Sequence, residues 1–302
     1  MLEYPGPASW DAETYTAPDG TIFPRTSWLP ADGRQPRAVV VAVHGLGGAT
    51  SDWWPLGELC QTRDIAVLAY EVRGMGNDPQ VPRRGDLDRR NGWLEDFTSF
   101  AKRVSDTYPN VPMIWVGESL GSVIVLNMVV HQANAGVVPD ACMLTSPIVR
   151  VDGKVGGWRE PLVRVLMMLT PRLRVDLQAL GDADVASARV VSSTTHADQQ
   201  EKTPHAISRF TLRLLSRIAS LVRENRQSIG ALTTPILVLY GGHDVFTKED
   251  EVDAFFEEIG SEDKAKTFFP DGYHLLLHDR DRKRVLRRIE KWLEKIVDNC
   301  KE

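Results

Sequence analysis

One segment of the chain has the spacing of a reactive serine. An apolar run over residues 113–116 is followed by the sequence GESLG at residues 117–121, and a helical pattern begins directly afterwards. Glycines on both sides of Ser119 permit a tight turn that places this residue above a sheet, at the amino end of a helix. The order of strand, G-x-S-x-G and helix therefore predicts a nucleophilic serine. An incidental Gly-rich turn is the alternative.

Asp244 is the predicted acidic partner of this serine. A serine hydroxyl is a weak nucleophile at neutral pH, so a base must remove its proton and a carboxylate must orient that base. Asp244 follows the apolar run at 236–240, at the carboxyl end of a predicted strand, where open parallel sheets carry their functional groups. The alternative is that Asp244 caps the helix predicted at 248–259, although Thr247 lies closer to that helix.

His274 is the predicted general base. It lies in the loop PDGYH, which follows the strand predicted at 266–269. Its nearest rival is His278, and two histidines four residues apart also suggest a metal pair, but the H-E-x-x-H zinc pattern is absent and a surface or helix-start role is favoured for His278. We expect no metal and no cofactor. The other five histidines are His44, His131, His196, His205 and His243.

Two backbone N–H groups are predicted to form an oxyanion hole. The tetrahedral intermediate of acyl transfer needs such donors, and the N–H of Leu120, directly after the serine, supplies one. The second is predicted to be Leu46, in the loop HGLGG at residues 44–48, because glycines on both sides allow its amide to turn inward. A purely structural loop is the alternative, and a phosphate cradle is disfavoured because the Gly-Lys-Ser/Thr ending is missing.

The elements around these residues predict an α/β fold with a doubly wound, mostly parallel sheet. Strands alternate with helices at the spacing of parallel β-α units, and an edge hairpin is predicted at 13–29 around Asp19-Gly20. The strands are predicted at 38–43, 65–70, 113–116, 141–144, 236–240 and 266–269, and the helices at 92–106, 120–133, 248–259 and 281–297.

A long interruption of this pattern predicts an inserted helical cap. About 90 residues without a clear strand separate the runs at 141–144 and 236–240, far more than an ordinary connection. We therefore expect a catalytic domain made of residues 1–146 and 232–302, with a cap at 147–231. A row of arginines in the cap, at 209, 213 and 217, is interpreted as a solvated face. The residues predicted to contact substrate are Trp53, Trp54, Leu166, Met167 and Met168.

Composition excludes several classes of protein. The chain has 302 residues, of which 42% are hydrophobic and 25% charged, as in an ordinary globular protein. Lys plus Arg total 36 against 41 Asp plus Glu, so no net positive charge favours nucleic acid or an anionic membrane. Three dispersed cysteines argue against a disulfide scaffold, and neither a leader nor a membrane-spanning segment is visible. These features predict a cytoplasmic protein, and oligomeric state stays open.

In this order the motifs resemble the α/β-hydrolase superfamily, and within it the branch of monoacylglycerol lipase-like and lysophospholipase-like serine hydrolases. The resemblance covers nearly the whole chain: the hairpin, HGLGG, the turn RGMG at 73–76, GESLG, GGHD and DGYH. It implies Ser119, Asp244 and His274 as a triad, with Leu46 and Leu120 as oxyanion donors. The branch often has histidine where this chain has Met75 and Glu118, and those two positions shape the surroundings of the site.

The resulting hypothesis is a serine hydrolase that cleaves carboxylic esters through an acyl-enzyme. Apolar residues near the predicted site favour a small apolar acyl or aromatic ester as its substrate. An amidase, a thioesterase or an acyltransferase on the same fold is the alternative, since all of them form an acyl-enzyme. A non-catalytic small-molecule binding protein is disfavoured, because such a protein has no reason to keep the complete set of catalytic groups.

Overall fold

The computed structural model describes residues 13–131, 136–151, 169–176, 189–195, 203 and 205–300. The strands are β1 (Thr14–Thr16), β2 (Ile22–Trp28), β3 (Ala38–Val43), β4 (Ile65–Tyr70), β5 (Met113–Glu118), β6 (Ala141–Thr145), β7 (Arg174–Asp176), β8 (Arg189–Val191), β9 (Thr194–Thr195), β10 (Arg209–Thr211), β11 (Ile236–Gly241) and β12 (Lys264–Phe269). The described helices are α1 (Trp54–Gln61), α2 (Gly92–Thr107), α3 (Leu120–Val130), α4 (Leu212–Ser228), α5 (Glu249–Glu258) and α6 (Arg282–Asn299).

Eight strands form one sheet in the order β1-β2-β4-β3-β5-β6-β11-β12. The six strands from β4 to β12 in that order are parallel, whereas β1 and β2 form an antiparallel hairpin at one edge. The predicted doubly wound, mostly parallel sheet and its edge hairpin are confirmed. All residues of the inner strands β4, β3, β5, β6 and β11 are buried, as expected of strands that are covered on both faces.

The alternation of side chains along β3 divides the core into two layers. Val39, Val41 and Val43 lie on the face that packs against α2, α3, α4 and α5. Val40 and Ala42 lie on the opposite face, with α1 and α6. Helices therefore cover both faces of the sheet and hold the carboxyl ends of its strands, where the predicted site residues lie, in fixed positions.

The region predicted as a cap contains strands as well as a helix. In its described part β7 pairs with β10 and β8 pairs with β9, so the expectation of no strand in this region was wrong. These ladders are only two or three residues long, too short to produce a periodic sequence signal. Helix α4 packs on α3, where the Asn225 amide donates to the Val123 carbonyl and accepts from the amide of Asn127, both at 2.9 Å. The boundaries 147 and 231 stay a prediction.

Only part of the predicted arginine row is a solvated face. Arg209 lies on β10 and is exposed, whereas Arg213 and Arg217 lie on α4 and are engaged in contacts. The Arg213 guanidinium forms a two-pronged ion pair with Asp86 of the body. Arg217 is 6% exposed, donates to the Arg90 carbonyl at 3.0 Å and pairs with Glu224 at 2.8 Å. Both arginines therefore connect this helix to the rest of the protein. Periodicity alone did not reveal this, because the carboxylate on which Arg213 depends lies 127 residues away in sequence.

Candidate active site

Ser119 occupies a sharp turn between β5 and α3. Its backbone has φ +52° and ψ −116°, a strained conformation for a residue with a side chain, and its side chain and backbone are 8% exposed. The flanking glycines are required sterically. A Cβ atom at position 117 would lie 2.4 Å from the Gly121 carbonyl oxygen, and a Cβ at position 121 would lie 1.9 Å from the carbonyl oxygen of Val43. The GESLG sequence thus permits the close packing that presents Ser119 at the end of the strand.

The other two predicted triad residues are in direct contact. Nδ1 of His274 lies 2.8 Å from Oδ2 of Asp244, and both residues are buried. The second carboxylate oxygen of Asp244 accepts from the backbone N–H groups of Phe246 at 2.9 Å and Thr247 at 3.3 Å. Asp244 therefore orders the turn before α5 and binds the histidine at the same time. Helix α5 itself begins at Glu249, one turn further along the chain.

Ser146 connects the histidine loop to the serine turn. The backbone N–H of Ser119 donates to the Thr145 carbonyl at the end of β6, at 3.1 Å. The next residue, Ser146, has a φ of +45°, and its buried hydroxyl donates to the carbonyl of His274. Sequence analysis missed Ser146. It belongs to no motif, and the residue it contacts lies 128 positions away.

The environment of His274 favours its protonated form. Burial opposes charging of the ring, but attraction and hydrogen bonding from Asp244, with a further attraction from Glu118, raise the pKa of His274 above its ordinary value of 6.5. Within the described part of the chain neither Nε2 of His274 nor Oγ of Ser119 has a hydrogen-bond partner. Such bonds are often long in ligand-free enzymes and shorten when substrate binds. The Nε2 atom is thus free to take a proton.

The two predicted oxyanion donors belong to segments next to Ser119, since Leu120 follows it in sequence and Leu46 belongs to the HGLGG loop. A Cβ atom at position 45 would be 3.1 Å from Cβ of Ser119, so the HGLGG loop passes directly beside the nucleophile. Among the described residues neither the Leu46 N–H nor the Leu120 N–H has an acceptor. Two unengaged amides beside a nucleophile are what an oxyanion requires.

Glu71, which no sequence motif indicated, binds residues on both sides of the HGLGG loop. Its carboxylate lies 3.3 Å from Nε2 of His44 and accepts the backbone N–H groups of Thr50 at 2.9 Å and Asn77 at 3.2 Å. The side chain of Glu71 is 1% exposed, so these contacts are made away from water. A carboxylate with these bonds fixes the chain on both sides of the loop that contains Leu46.

Asp279 connects the histidine loop to the β8–β9 hairpin. Its carboxylate accepts the backbone N–H groups of Ser192 at 2.9 Å, Arg280 at 2.8 Å and Tyr273 at 3.2 Å. The Leu275 N–H also donates to the carbonyl of Val190 in β8, at 2.9 Å. The segments on both sides of His274 are therefore hydrogen-bonded to the region predicted as a cap. This residue, too, has no sequence signature.

The predicted substrate contacts have mixed outcomes. Trp53 is 1% exposed and packs in the core layer with α1 and α6, so it does not present an open apolar surface. Trp54 is 38% exposed, and the Arg282 guanidinium lies 4.7 Å from its ring centroid. Closer to the base, the Phe246 ring packs edge-on against His274 at 4.7 Å and is 40% exposed. Outside the described residues lie Leu166, Met167 and Met168.

The remaining histidines occupy separate places. His243 stacks on Tyr273 at 5.0 Å, and Nε2 of His205 lies 4.0 Å from Oδ1 of Asp52. His131 follows α3, and His196 is outside the described residues. In the ranges that the structure describes, no group of three or more His, Cys, Asp or Glu side chains is arranged to hold a metal ion. None of the described helices is long and apolar enough to cross a membrane.

Solved structures with the same arrangement are α/β-hydrolases, and this chain has that fold. A variant of monoglyceride lipase from Saccharomyces cerevisiae superposes with a TM-score of 0.76 at 18% identity, covering 98% of this chain and 99% of the other. A carboxyl esterase from Bacillus coagulans superposes with a TM-score of 0.78 at 17% identity, covering 94% and 97%.

The chain belongs to the family described as "Serine aminopeptidase, S33", which it matches over residues 34–281. It is 25% identical over 270 residues to the monoacylglycerol lipase of Mycolicibacterium smegmatis, covering 88% of this chain and 90% of the relative. It is also 25% identical over 299 residues to caffeoylshikimate esterase of Arabidopsis thaliana, covering 94% and 85%. The expected fold and family resemblance are confirmed, and the lipase and esterase names of these relatives agree with the predicted ester hydrolase.

Proposed function

We propose that this α/β-hydrolase cleaves carboxylic esters through an acyl-enzyme on Ser119, with His274 as general base and acid and Asp244 as its partner. The serine proton moves to Nε2 of His274 while Oγ bonds to the ester carbonyl carbon. The oxyanion accepts hydrogen bonds from the Leu46 and Leu120 amides. The imidazolium then protonates the leaving alcohol, and the ester C–O bond breaks. A water, deprotonated by the same histidine, attacks the acyl-enzyme and releases the acid.

The observation that carries this proposal is the His274–Asp244 contact of 2.8 Å beside a strained serine. The carboxylate fixes the ring so that Nδ1 carries a proton, which leaves Nε2 as the basic atom. Two amides without acceptors supply electrostatic stabilisation, which is usually the largest single contribution to such a reaction. Their lack of acceptors, in segments next to Ser119, supports acyl transfer over simple ligand binding.

For the substrate we propose a small ester with an apolar acyl or aromatic group, of the kind named in the monoacylglycerol lipase and esterase relatives. Val245 is 50% exposed and Phe246 is 40% exposed, and both follow Asp244 directly in the acid loop. Phe246 also contacts the ring of His274. An exposed apolar surface at the base supports binding of an uncharged chain or ring.

The test is a series of p-nitrophenyl esters of increasing acyl length, with a monoacylglycerol beside them, assayed on the wild type and on Ser119→Ala. We expect turnover in the wild type and a loss of at least about 10³-fold in the variant. Ser122→Ala is the matched control, because Ser122 donates its hydroxyl to the Ser119 carbonyl yet takes no part in the proposed chemistry. Equal turnover by wild type and Ser119→Ala contradicts the proposal.

The second candidate is cleavage of an amide by the same groups, which the family description "Serine aminopeptidase, S33" favours. Acyl-enzyme formation is common to both reactions, and the leaving group distinguishes them. Matched acyl p-nitroanilides and p-nitrophenyl esters separate the two. If kcat/KM for the anilide equals or exceeds that for the ester, the enzyme is an amidase.

A further inference from the structure

Glu118 is a buried carboxylate next to the nucleophile for which the acyl-transfer steps give no role. It is the last residue of β5, it is 5% exposed, and it immediately precedes Ser119. Among the described residues its Oε1 atom has no hydrogen-bond partner, and no Lys or Arg forms an ion pair with it. A buried carboxylate is costly unless something compensates its charge. The position therefore calls for a functional explanation.

Topology places Glu118 beside the histidine loop. In the parallel pairing of β5 with β6, Glu118 is opposite Thr145. The next residue on β6, Ser146, holds the carbonyl of His274. Glu118 interacts electrostatically with His278, His274 and His44, and with the carboxylate of Asp52. Its only described candidates for a compensating positive charge are therefore histidines.

The interaction between Glu118 and His274 is also seen in the surroundings of His274. Asp244 contacts Nδ1 of the ring directly, and Glu118 interacts with the ring electrostatically. Asp244 is engaged by two backbone amides in addition to the ring, whereas Oε1 of Glu118 is unengaged. Electrostatic interactions between such groups are stronger away from water than at a surface. When the ring takes the serine proton, its new charge is attracted by both carboxylates.

We propose that Glu118 is a positioning residue that acts through His274, where its carboxylate stabilises the imidazolium form while that histidine holds the serine proton. This inference rests on the proposed function. It assigns a role to the position at which the related branch often carries histidine. A carboxylate there makes His274 a stronger base than the Asp244 contact alone provides.

Burial and the attraction of neighbouring histidines have opposite effects on the pKa of Glu118. Burial raises the pKa of its carboxyl above 4.5, and the neighbouring histidines, His278 first, lower it in part. Protonation of Glu118 at acid pH removes its attraction for His274. The two titrations are therefore coupled, and each group responds to the charge of the other.

The primary experiment measures the pKa of His274 without substrate, from the NMR titration of its Cε1–H resonance, assigned with His274→Gln. Glu118→Gln keeps the shape of the side chain and removes its charge. We expect the pKa of His274 to fall by roughly 0.5–1 unit in this variant. Glu118→Asp, which keeps the charge, should restore at least part of the shift. Asp106→Asn, which neutralises an exposed carboxylate at the far end of α2, should leave the pKa of His274 unchanged.

The kinetic readout separates positioning from a packing defect. In Glu118→Gln the acid limb of kcat/KM for a short p-nitrophenyl ester should move to lower pH, with a loss of about three- to tenfold on the plateau. A packing defect lowers the rate equally at every pH and leaves the limb in place. An unshifted His274 pKa together with an unshifted limb overturns the inference.

A wild-type measurement keeps the inference testable if Glu118→Gln does not fold. In protein labelled with ¹³C-glutamate, the carboxyl resonance of Glu118 should show an inflection at the pKa of His274, and absence of that inflection overturns the inference. Failure of the proposed function has a different signature. Ser119→Ala would keep its esterase activity, whatever the NMR titrations show.

Discussion

Two buried histidines each lie beside a carboxylate at the carboxyl edge of the sheet, but they differ in what their second nitrogen does. Nε2 of His44 accepts the Val72 N–H at 3.0 Å, and its Nδ1 lies 3.0 Å from the Gly45 carbonyl. His274 uses Nδ1 for Asp244, and its Nε2 has no described partner. Hydrogen bonds to the backbone on both sides make His44 a structural residue. The unengaged nitrogen makes His274 the candidate base.

The comparison teaches that burial and a carboxylate partner do not by themselves identify a catalytic histidine. Both histidines have a pKa raised above 6.5, against the opposing effect of burial, through Glu71 for one and Asp244 for the other. What distinguishes them is the availability of one ring nitrogen. The predictions below test this distinction.

The largest expected effect is that of replacing the two histidines separately. His274→Gln removes the base, so kcat should fall by about 10³–10⁵-fold, and loss of the buried contact with Asp244 should also cost about 1–3 kcal/mol of unfolding free energy. His44→Gln leaves the Val72 N–H or the Gly45 carbonyl buried without its partner, which should cost about 1–3 kcal/mol of unfolding free energy. Kinetics on a short ester and urea denaturation measure both. A larger loss of activity in His44→Gln than in His274→Gln breaks the comparison.

The carboxylates that partner the two histidines, Asp244 and Glu71, should also differ in their effect on activity, with the larger loss at Asp244. Asp244→Asn is expected to lower kcat by about 10³–10⁴-fold, because the amide no longer selects the required tautomer of His274. Glu71→Gln acts only through the shape of the oxyanion loop, and we expect a smaller loss, of about tenfold. Single-turnover assays measure the acylation rate of each variant. If the acylation rate falls by a similar factor in both variants, Glu71 and Asp244 have equivalent roles and the comparison fails.

The pH dependence of the reaction should report His274 and not His44. The base must be neutral to accept the serine proton, and its pKa is raised, so kcat/KM should rise with pH through a midpoint above 6.5. In His44→Gln the midpoint should stay in place even where the plateau is lower. A pH profile from 5 to 9 in both proteins makes the measurement. If the acid limb of kcat/KM disappears in His44→Gln, the limb reports His44 and not His274, which contradicts the account.

The smallest expected effect concerns Asp279. Its pKa is lowered, because hydrogen bonds from Ser192, Arg280 and Tyr273 outweigh the effect of burial. A lowered folded-state pKa means that its contribution to stability is present above the unfolded pKa of about 3.9 and is lost as pH falls through the folded value.

Asp279→Asn is therefore expected to lower kcat a few-fold through a looser histidine loop, and to cost about 1–3 kcal/mol at pH 7. The difference in stability from the wild type should shrink towards pH 3. Asp271→Asn, at an exposed site of the same loop, is the control. If the stability difference between the wild type and Asp279→Asn does not change with pH, the ionised carboxylate of Asp279 is not what stabilises the loop.

Short-range patterns made much of this architecture predictable. The apolar runs of β3, β4, β5 and β11 and the GESLG turn are local, so sequence located the sheet and the serine. The loops after β11 and β12 supplied Asp244 and His274 through one rule, that parallel strands carry functional groups at their carboxyl ends. Every part of that reasoning used residues within about ten positions of each other.

The remainder depends on contacts between distant segments. Ser146 lies 128 residues from the His274 carbonyl that it binds, and Asp279 lies 87 residues from Ser192. Asp86 lies 127 residues from the Arg213 that it pairs with. Trp53 is the opposite case, a residue that its sequence position singled out but that the structure buries. Its place after the HGLGG loop suggested a substrate contact, but the structure buries it in the core layer that also contains residues of α1 and α6. The spacing of residues along the sequence predicts neither the long-range polar contacts nor the burial of Trp53.

The most direct test of the central claim is labelling with a serine-directed fluorophosphonate followed by mass spectrometry of the peptides. The account predicts one adduct, on Ser119, formed at a rate that falls sharply in His274→Gln and little in His44→Gln. Labelling that persists in Ser119→Ala, or that depends on His44 rather than on His274, would contradict it.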